Sequence, residues 1–309
     1  MATRFEVALS GGEPASLRAA GEEALDEISR VESRLSLYRG DSEIAAINRH
    51  AGRQPVRVSQ EVFNLLRQAA RLSAETGGAF DPTIAPLMRC WGFMTSTGSR
   101  PTNEQLETAR SLTGMSRVIL SEDDLTVRFE QEGMMLDLGA IGKGYAIERA
   151  MEFLREAGMT SALLHGGTST VAALGSQPDG SPWRVALEEP HDAPDAIPDP
   201  NRPQGVLGVV DLQNESLSVS AIWGRAFRAE ATTYGHVIDP HTGQPVRTAL
   251  LAAVVTPSAT ESDALSTALL VRGFSALEHL LAQRANLRAY LWKGPGNELQ
   301  SKNQTRSEG

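Results

Sequence analysis

Between residues 161 and 220 the chain carries five short apolar or alternating runs in succession: 161–164, 168–174, 183–187, 205–211 and 216–220. No helical period separates them. Parallel strands need a crossover of about a dozen residues or more, usually a helix, whereas antiparallel strands can follow one another through turns. The one long interval, 188–203, is rich in Pro and Asp and reads as a surface excursion. This succession favours an α+β fold with antiparallel sheet over a doubly wound parallel one.

Helical periods flank these runs. Leu17, Ala20, Ala24, Ile28, Val31 and Leu35 recur at three or four residues and predict a helix over 13–38. A short helix is expected over 42–48, and Ser59 caps another that Gly77-Gly78 ends near Thr76. Pro82, Pro86 and the stretch 92–101 read as loop, followed by a helix over 103–111. Residues 143–158, 261–271 and 275–283 carry further helical patterns. Strands are expected at 4–9, 117–120, 126–130, 133–138, 251–255 and 288–292. The organisation implied is one domain over 1–293, followed by a polar tail over 294–309 with almost no large apolar residues.

Charge and cysteine content narrow the function classes. Lys and Arg number 29 against 38 Asp and Glu, a net charge of −9 that argues against nucleic acid or an anionic membrane as the main partner. One cysteine, Cys90, excludes an intrachain disulfide framework and a cysteine metal cluster. No apolar run reaches membrane-spanning length, and the first residues read as a strand rather than a signal peptide. The chain as given reads as cytoplasmic, or periplasmic if an export signal has been removed.

Four motifs carry chemistry. In Asp263-Ala-Leu-Ser266-Thr267, helical spacing sets a carboxylate and two hydroxyls on one face. The run suits a hard cation such as magnesium, although taken alone a capped helix is the commoner reading of such residues. Asp137-Leu-Gly139-Ala140-Ile-Gly142-Lys143-Gly144 reads as a strand end, a glycine turn and a helix start bearing a lysine, which suits an anion. The spacing is neither that of a Walker loop nor that of a dinucleotide fingerprint. Gly235-His236-Val-Ile238-Asp239-Pro-His241-Thr-Gly243 places a histidine before a tight turn, either as a general base or bonded to the turn. Gly77-Gly78-Ala79-Phe80-Asp81-Pro82 offers backbone to a flat ligand, or only a helix stop and a turn. His165-Gly-Gly167 ends an apolar strand, where the histidine alone reads as structural.

In this order the motifs resemble the ApbE family of FAD:protein FMN transferases. The resemblance also includes Tyr38-x-x-Asp-Ser-Glu43, Asn48 and Trp91-Gly-Phe, and covers nearly the whole chain to about Trp292. It implies a T-fold-related α+β architecture: mixed, largely antiparallel sheets with helices packed around a central FAD groove. It also implies that FAD is the substrate, that its pyrophosphate is cleaved with Mg2+, and that FMN joins a threonine hydroxyl of a target flavoprotein as AMP leaves. By matching positions, the Ala140 carbonyl, Asp263 and Thr267 would hold the metal, with Ser266 as a further ligand. Lys143 would face the nucleotide, Tyr38 would stack on a ring, and Met1, Ala79, Phe80, Asp81, Asp137 and Ile238 would line the rest. His236 would activate the threonine.

The chain departs from the pattern in places. Val219-Ser220-Ala221 stands where members usually read Thr-Ser-Gly, Thr168 where many carry Asp, and Ser266 where some carry a carboxylate. These departures bear on transfer more than on FAD binding. They keep two alternatives in view: an FAD pyrophosphatase releasing FMN and AMP, and a non-catalytic FAD-binding protein.

Overall fold

The computed structural model describes residues 3–95, 98–189, 205–222, 226–229, 232–247 and 249–303. In chain order its strands are β1 (Phe5–Ser10), β2 (Val56–Arg57), β3 (Val118–Ser121), β4 (Thr126–Phe129), β5 (Ser161–Gly166), β6 (Thr170–Leu174), β7 (Trp183–Glu188), β8 (Val206–Leu212), β9 (Ser216–Ala221), β10 (Ala226–Ala229), β11 (Thr232–Gly235), β12 (Leu251–Thr256), β13 (Arg288–Trp292) and β14 (Gln300–Asn303). The helices are α1 (Pro14–Leu35), α2 (Glu43–His50), α3 (Gln60–Glu75), α4 (Ala85–Cys90), α5 (Asn103–Ser111), α6 (Gly142–Glu156), α7 (Ala259–Arg272) and α8 (Glu278–Gln283).

A seven-stranded sheet in the order β1-β5-β6-β9-β12-β13-β14 forms the centre, and every adjacent pair in it is antiparallel. The fold is thus α+β, as the runs without crossovers predict. Strand β12 shows why the sheet is central. All six of its residues are buried. Ala252 and Val254 join the core shared with the helices, while Leu251, Ala253 and Val255 join the core under the β7–β8 hairpin. Alternate side chains point to opposite faces, so a strand covered on both sides reads as a continuous apolar run. Helix α7 lies inside the helical layer and is buried on nearly every side, packed on α6, β9 and β12.

The α6–α7 crossing is unusually close. A Cβ on Gly144 would sit 2.1 Å from the Ala259 carbonyl oxygen and 2.7 Å from Asp263 Cβ. Only glycine fits there. The N-terminus of α7 is fixed to α6 as well, because Glu148 Oε2 accepts from Ser258 Oγ at 2.7 Å and from the Thr260 N–H at 2.8 Å.

Several expectations change. Residues 133–138 read as a strand but have no ladder. The Leu136 N–H donates to Asn48 Oδ1 (2.7 Å), its carbonyl accepts from Asn48 Nδ2 (2.9 Å), and the Asp137 N–H donates to the Pro82 carbonyl (2.7 Å). Side chain and loop supply the bonds that a neighbouring strand would give. The proline-rich stretch read as loop contains α4, because Pro86 occupies the first turn, where a helix needs no N–H from it. Strands β10 and β11 were not foreseen. Within the tail, residues 300–303 pair with β13, since backbone bonds need no apolar side chains. The excursion over 190–203 and the end of the tail at 304–309 lie outside the described residues.

Gly144→Ala is expected to lower stability by about 3 kcal/mol, since neither the Ala259 carbonyl nor the α7 backbone can yield to a methyl group; thermal unfolding reads it. Asn48→Ala leaves two buried backbone groups of Leu136 without partners and should cost about 1–3 kcal/mol in urea unfolding.

Candidate functional site

The close helix crossing brings two distant motifs together. Among the first N–H groups of α6, that of Gly144 donates to Asp263 Oδ2 at 2.9 Å, not to the Ala140 carbonyl four residues back. Asp263 is only 5% exposed. Burial raises its carboxyl above the usual range, while the Lys143 charge and the Gly144 N–H pull it back. Lys143 itself donates from Nζ to Ser169 Oγ in the turn after β5.

A line of hydroxyls continues from this carboxylate. Ser266 Oγ donates to the Asp263 carbonyl (2.9 Å) and lies 2.8 Å from Ser220 Oγ on β9. Ser220 Oγ lies 3.1 Å from Thr267 Oγ1. Two residues earlier on β9, Ser218 Oγ meets Ser262 Oγ at 2.8 Å. Four helix residues rise about 6.0 Å and two strand residues about 6.6 Å, so the serine pairs stay in step.

These groups open into a groove of about 1390 Å³. Its lining includes Tyr38, Ala79, Phe80, Asp81, Asp137, Ala140, Lys143, His236, Asp263 and Thr267, with Ile238 beside them. Thus all but two of the residues to which the resemblance gives a site role meet on one surface. Met1 lies outside the described residues. Ser266 is fully buried, behind Ser220 and Thr267. The groove is also walled by Thr168, Val219 and Ala221, the positions where the chain departs from the expected pattern, and by β7 residues from Arg184 to Glu188.

The other walls are held by turn chemistry. Asp81 Oδ1 accepts from the Thr83 N–H (2.8 Å) and hydroxyl (2.5 Å), and Oδ2 from the Met115 N–H (3.0 Å). Its carboxyl is nonetheless raised, chiefly by burial. This aspartate shapes its own loop and sets Ala79 and Phe80 against the groove. Asp137 Oδ1 accepts from the Gly139 N–H at 2.8 Å and tightens the turn into α6. Tyr38 stands at the rim with 64% of its surface exposed. His236 follows β11, and the next turn is fastened on three sides. Asp239 Oδ1 accepts from the His241 N–H (2.9 Å), Trp91 Nε1 donates to the Gly243 carbonyl (2.8 Å), and His241 Nε2 lies 2.9 Å from the Gly77 carbonyl. His241 therefore serves the turn. His165 lies 3.4 Å from Glu6 Oε2 and 3.2 Å from the Gly167 carbonyl, and also borders the groove.

Among the described residues, no three His, Cys, Asp or Glu side chains cluster as a metal centre. A cation here would rest on one carboxylate and neutral oxygens. Asp263, Thr267 and the Ala140 carbonyl are such donors, a hard set suited to magnesium that keeps substrate phosphate in its shell. Sequence reasoning missed Ser220, Ser169 and the positioning contact of Asn48. The alternate serines 218 and 220 against 262 and 266 were a signal, legible only once β9 was known to face α7.

The comparisons with known proteins concern the family and the fold. The ApbE family model matches residues 1–291. The FAD:protein FMN transferase of Klebsiella pneumoniae is 31% identical over 264 residues, 85% of this chain and 78% of that protein. That of Vibrio cholerae is 28% identical over 249 residues, 80% and 71% of the two chains. The crystal structure of an ApbE protein from Thermotoga maritima superposes with a TM-score of 0.83 at 24% identity, covering 98% of this chain and 94% of that one. The apo flavinyl transferase ApbE of Pseudomonas stutzeri gives 0.78 at 29% identity, covering 96% and 90%. A family pattern running from the first strand to β13, on a fold shared over nearly all of both chains, means that this chain belongs to the ApbE family.

Proposed function

We propose that this chain is a magnesium-dependent FAD:protein FMN transferase whose acceptor is a threonine of a target flavoprotein and whose second product is AMP. The observation that carries this reading is the junction of Asp263, Lys143 and the start of α6 on one wall of a groove roomy enough for a dinucleotide. The names of the relatives support flavin transfer.

Each residue has a task in this reading. The rim position of Tyr38 suits stacking on a ring of FAD. Lys143 and the positive end of α6 would hold the phosphates. Asp263, Thr267 and the Ala140 carbonyl would hold magnesium, which would supply positive charge to offset the negative charge developing on departing AMP. His236 would take the proton of the threonine hydroxyl. A bond then forms from the threonine oxygen to the FMN phosphorus. The phosphoanhydride bond to the AMP side breaks, and its electron pair leaves with AMP. Val219, Thr168 and Ala221 stand at the groove wall in place of a hydroxyl, a carboxylate and a glycine of the family pattern, and water is the competing acceptor.

The test incubates the chain with FAD, magnesium and a flavoprotein bearing the acceptor threonine, read by in-gel flavin fluorescence and AMP release. A covalent flavin band is expected. AMP without a band would instead mean hydrolysis, and bound FAD with neither would mean a binding protein. His236→Ala should cut transfer by about 10²- to 10⁴-fold with FAD still bound. Asp263→Asn should raise the magnesium needed for half-maximal rate by about tenfold or more, as expected from loss of a charged ligand.

A further inference from the structure

We propose that Ser220 is a positioning residue that orients the Thr267 hydroxyl toward a divalent cation in the groove; this inference rests on the metal site of the reading above. The argument is a count of protons. A serine or threonine hydroxyl carries one proton and two lone pairs. Ser266 Oγ donates to the Asp263 carbonyl at 2.9 Å, and a carbonyl can only accept. The Ser266 proton is therefore spent, and the 2.8 Å contact between Ser220 and Ser266 must use the proton of Ser220. The 3.1 Å contact between Ser220 and Thr267 must then use the proton of Thr267. The competing acceptor for Thr267, the Asp263 carbonyl, lies at 3.5 Å, the outer limit for a hydrogen bond.

The protons thus run in one direction: Thr267 to Ser220, Ser220 to Ser266, Ser266 to the helix backbone. The consequence falls on Thr267, whose side chain borders the groove with Asp263. Its proton is turned toward β9, so its lone pairs are left to meet a cation. Ser266, fully buried, has both its proton and a lone pair engaged. It acts through Ser220 rather than as a ligand. The cation site then depends on a strand serine for the direction of a helix threonine, in place of a second carboxylate.

Calorimetric titration of Mg2+ or Mn2+ into the full chain saturated with FAD tests this, beside magnesium titration of turnover. Ser220→Ala is expected to weaken metal affinity about tenfold, the size of one hydrogen bond. The magnesium for half-maximal rate should rise equally, with the rate at saturating magnesium and metal-free FAD affinity little changed. Ser220→Thr, which keeps the hydroxyl, should restore the affinity. Ser218→Ala removes the corresponding pair away from the groove and controls for packing: it should leave metal affinity unchanged. Metal affinity of Ser220→Ala within twofold of wild type overturns the proposal, as does equal weakening by Ser218→Ala. Because the calorimetry needs no acceptor protein, a chain that binds FAD without transferring FMN would fail the proposed function and still test this one.

Discussion

The hydrogen bond from the Gly144 N–H to the Asp263 carboxylate is the contact on which the site depends. It exists because a residue without a side chain lets α6 and α7 approach until backbone meets carboxylate. The same contact takes the Gly144 N–H to α7, while the Gly142 and Tyr145 N–H groups keep the carbonyls four residues back. A buried carboxylate is costly unless it is bonded and lies near a positive charge. Here the helix end and Lys143 supply both, and the residual cost appears as a raised carboxyl pKa. A cation binding at this carboxylate would relieve that cost.

The groove around this contact is assembled from turns rather than from regular elements. Asp81 closes one loop, Asp239 with Trp91 and His241 fastens another, and Asn48 holds the segment that leads to Asp137 and α6. Each uses a side chain to satisfy backbone groups that no strand or helix reaches. The central sheet stays rigid because β12 is covered on both faces, and the loops inherit that rigidity through a few directed bonds. A groove walled by loops can vary in shape more freely than one built from strands alone.

The interface of β9 and α7 shows how polar residues can occupy a core. Ser218 and Ser262, and Ser220 and Ser266, pair across it with bonds of 2.8 Å, and each helix serine also donates to the carbonyl three residues before it. Satisfied in this way, hydroxyls cost little to bury. Through them Thr267 at the groove is linked to the helix backbone by two intervening hydroxyls.

The sequence alone determined the α+β class and the helices with long apolar periods, and all but two of the residues it assigned to a site line the groove. Period and turn residues are local properties, and the glycine-lysine and Asp-Pro-His-Thr-Gly motifs are contiguous. Only the tertiary structure decided the rest. Residues 133–138 have a strand-like pattern but find their partner in Asn48, 88 residues from Leu136. Gln300–Asn303 joins the sheet because β13 has a free edge, which no tail composition reveals. Ser266 and Thr267 were indistinguishable as hydroxyls on one helical face. Burial against β9 separates them, because the direction of a hydroxyl proton is set by the nearest acceptor in space and not by spacing along the chain.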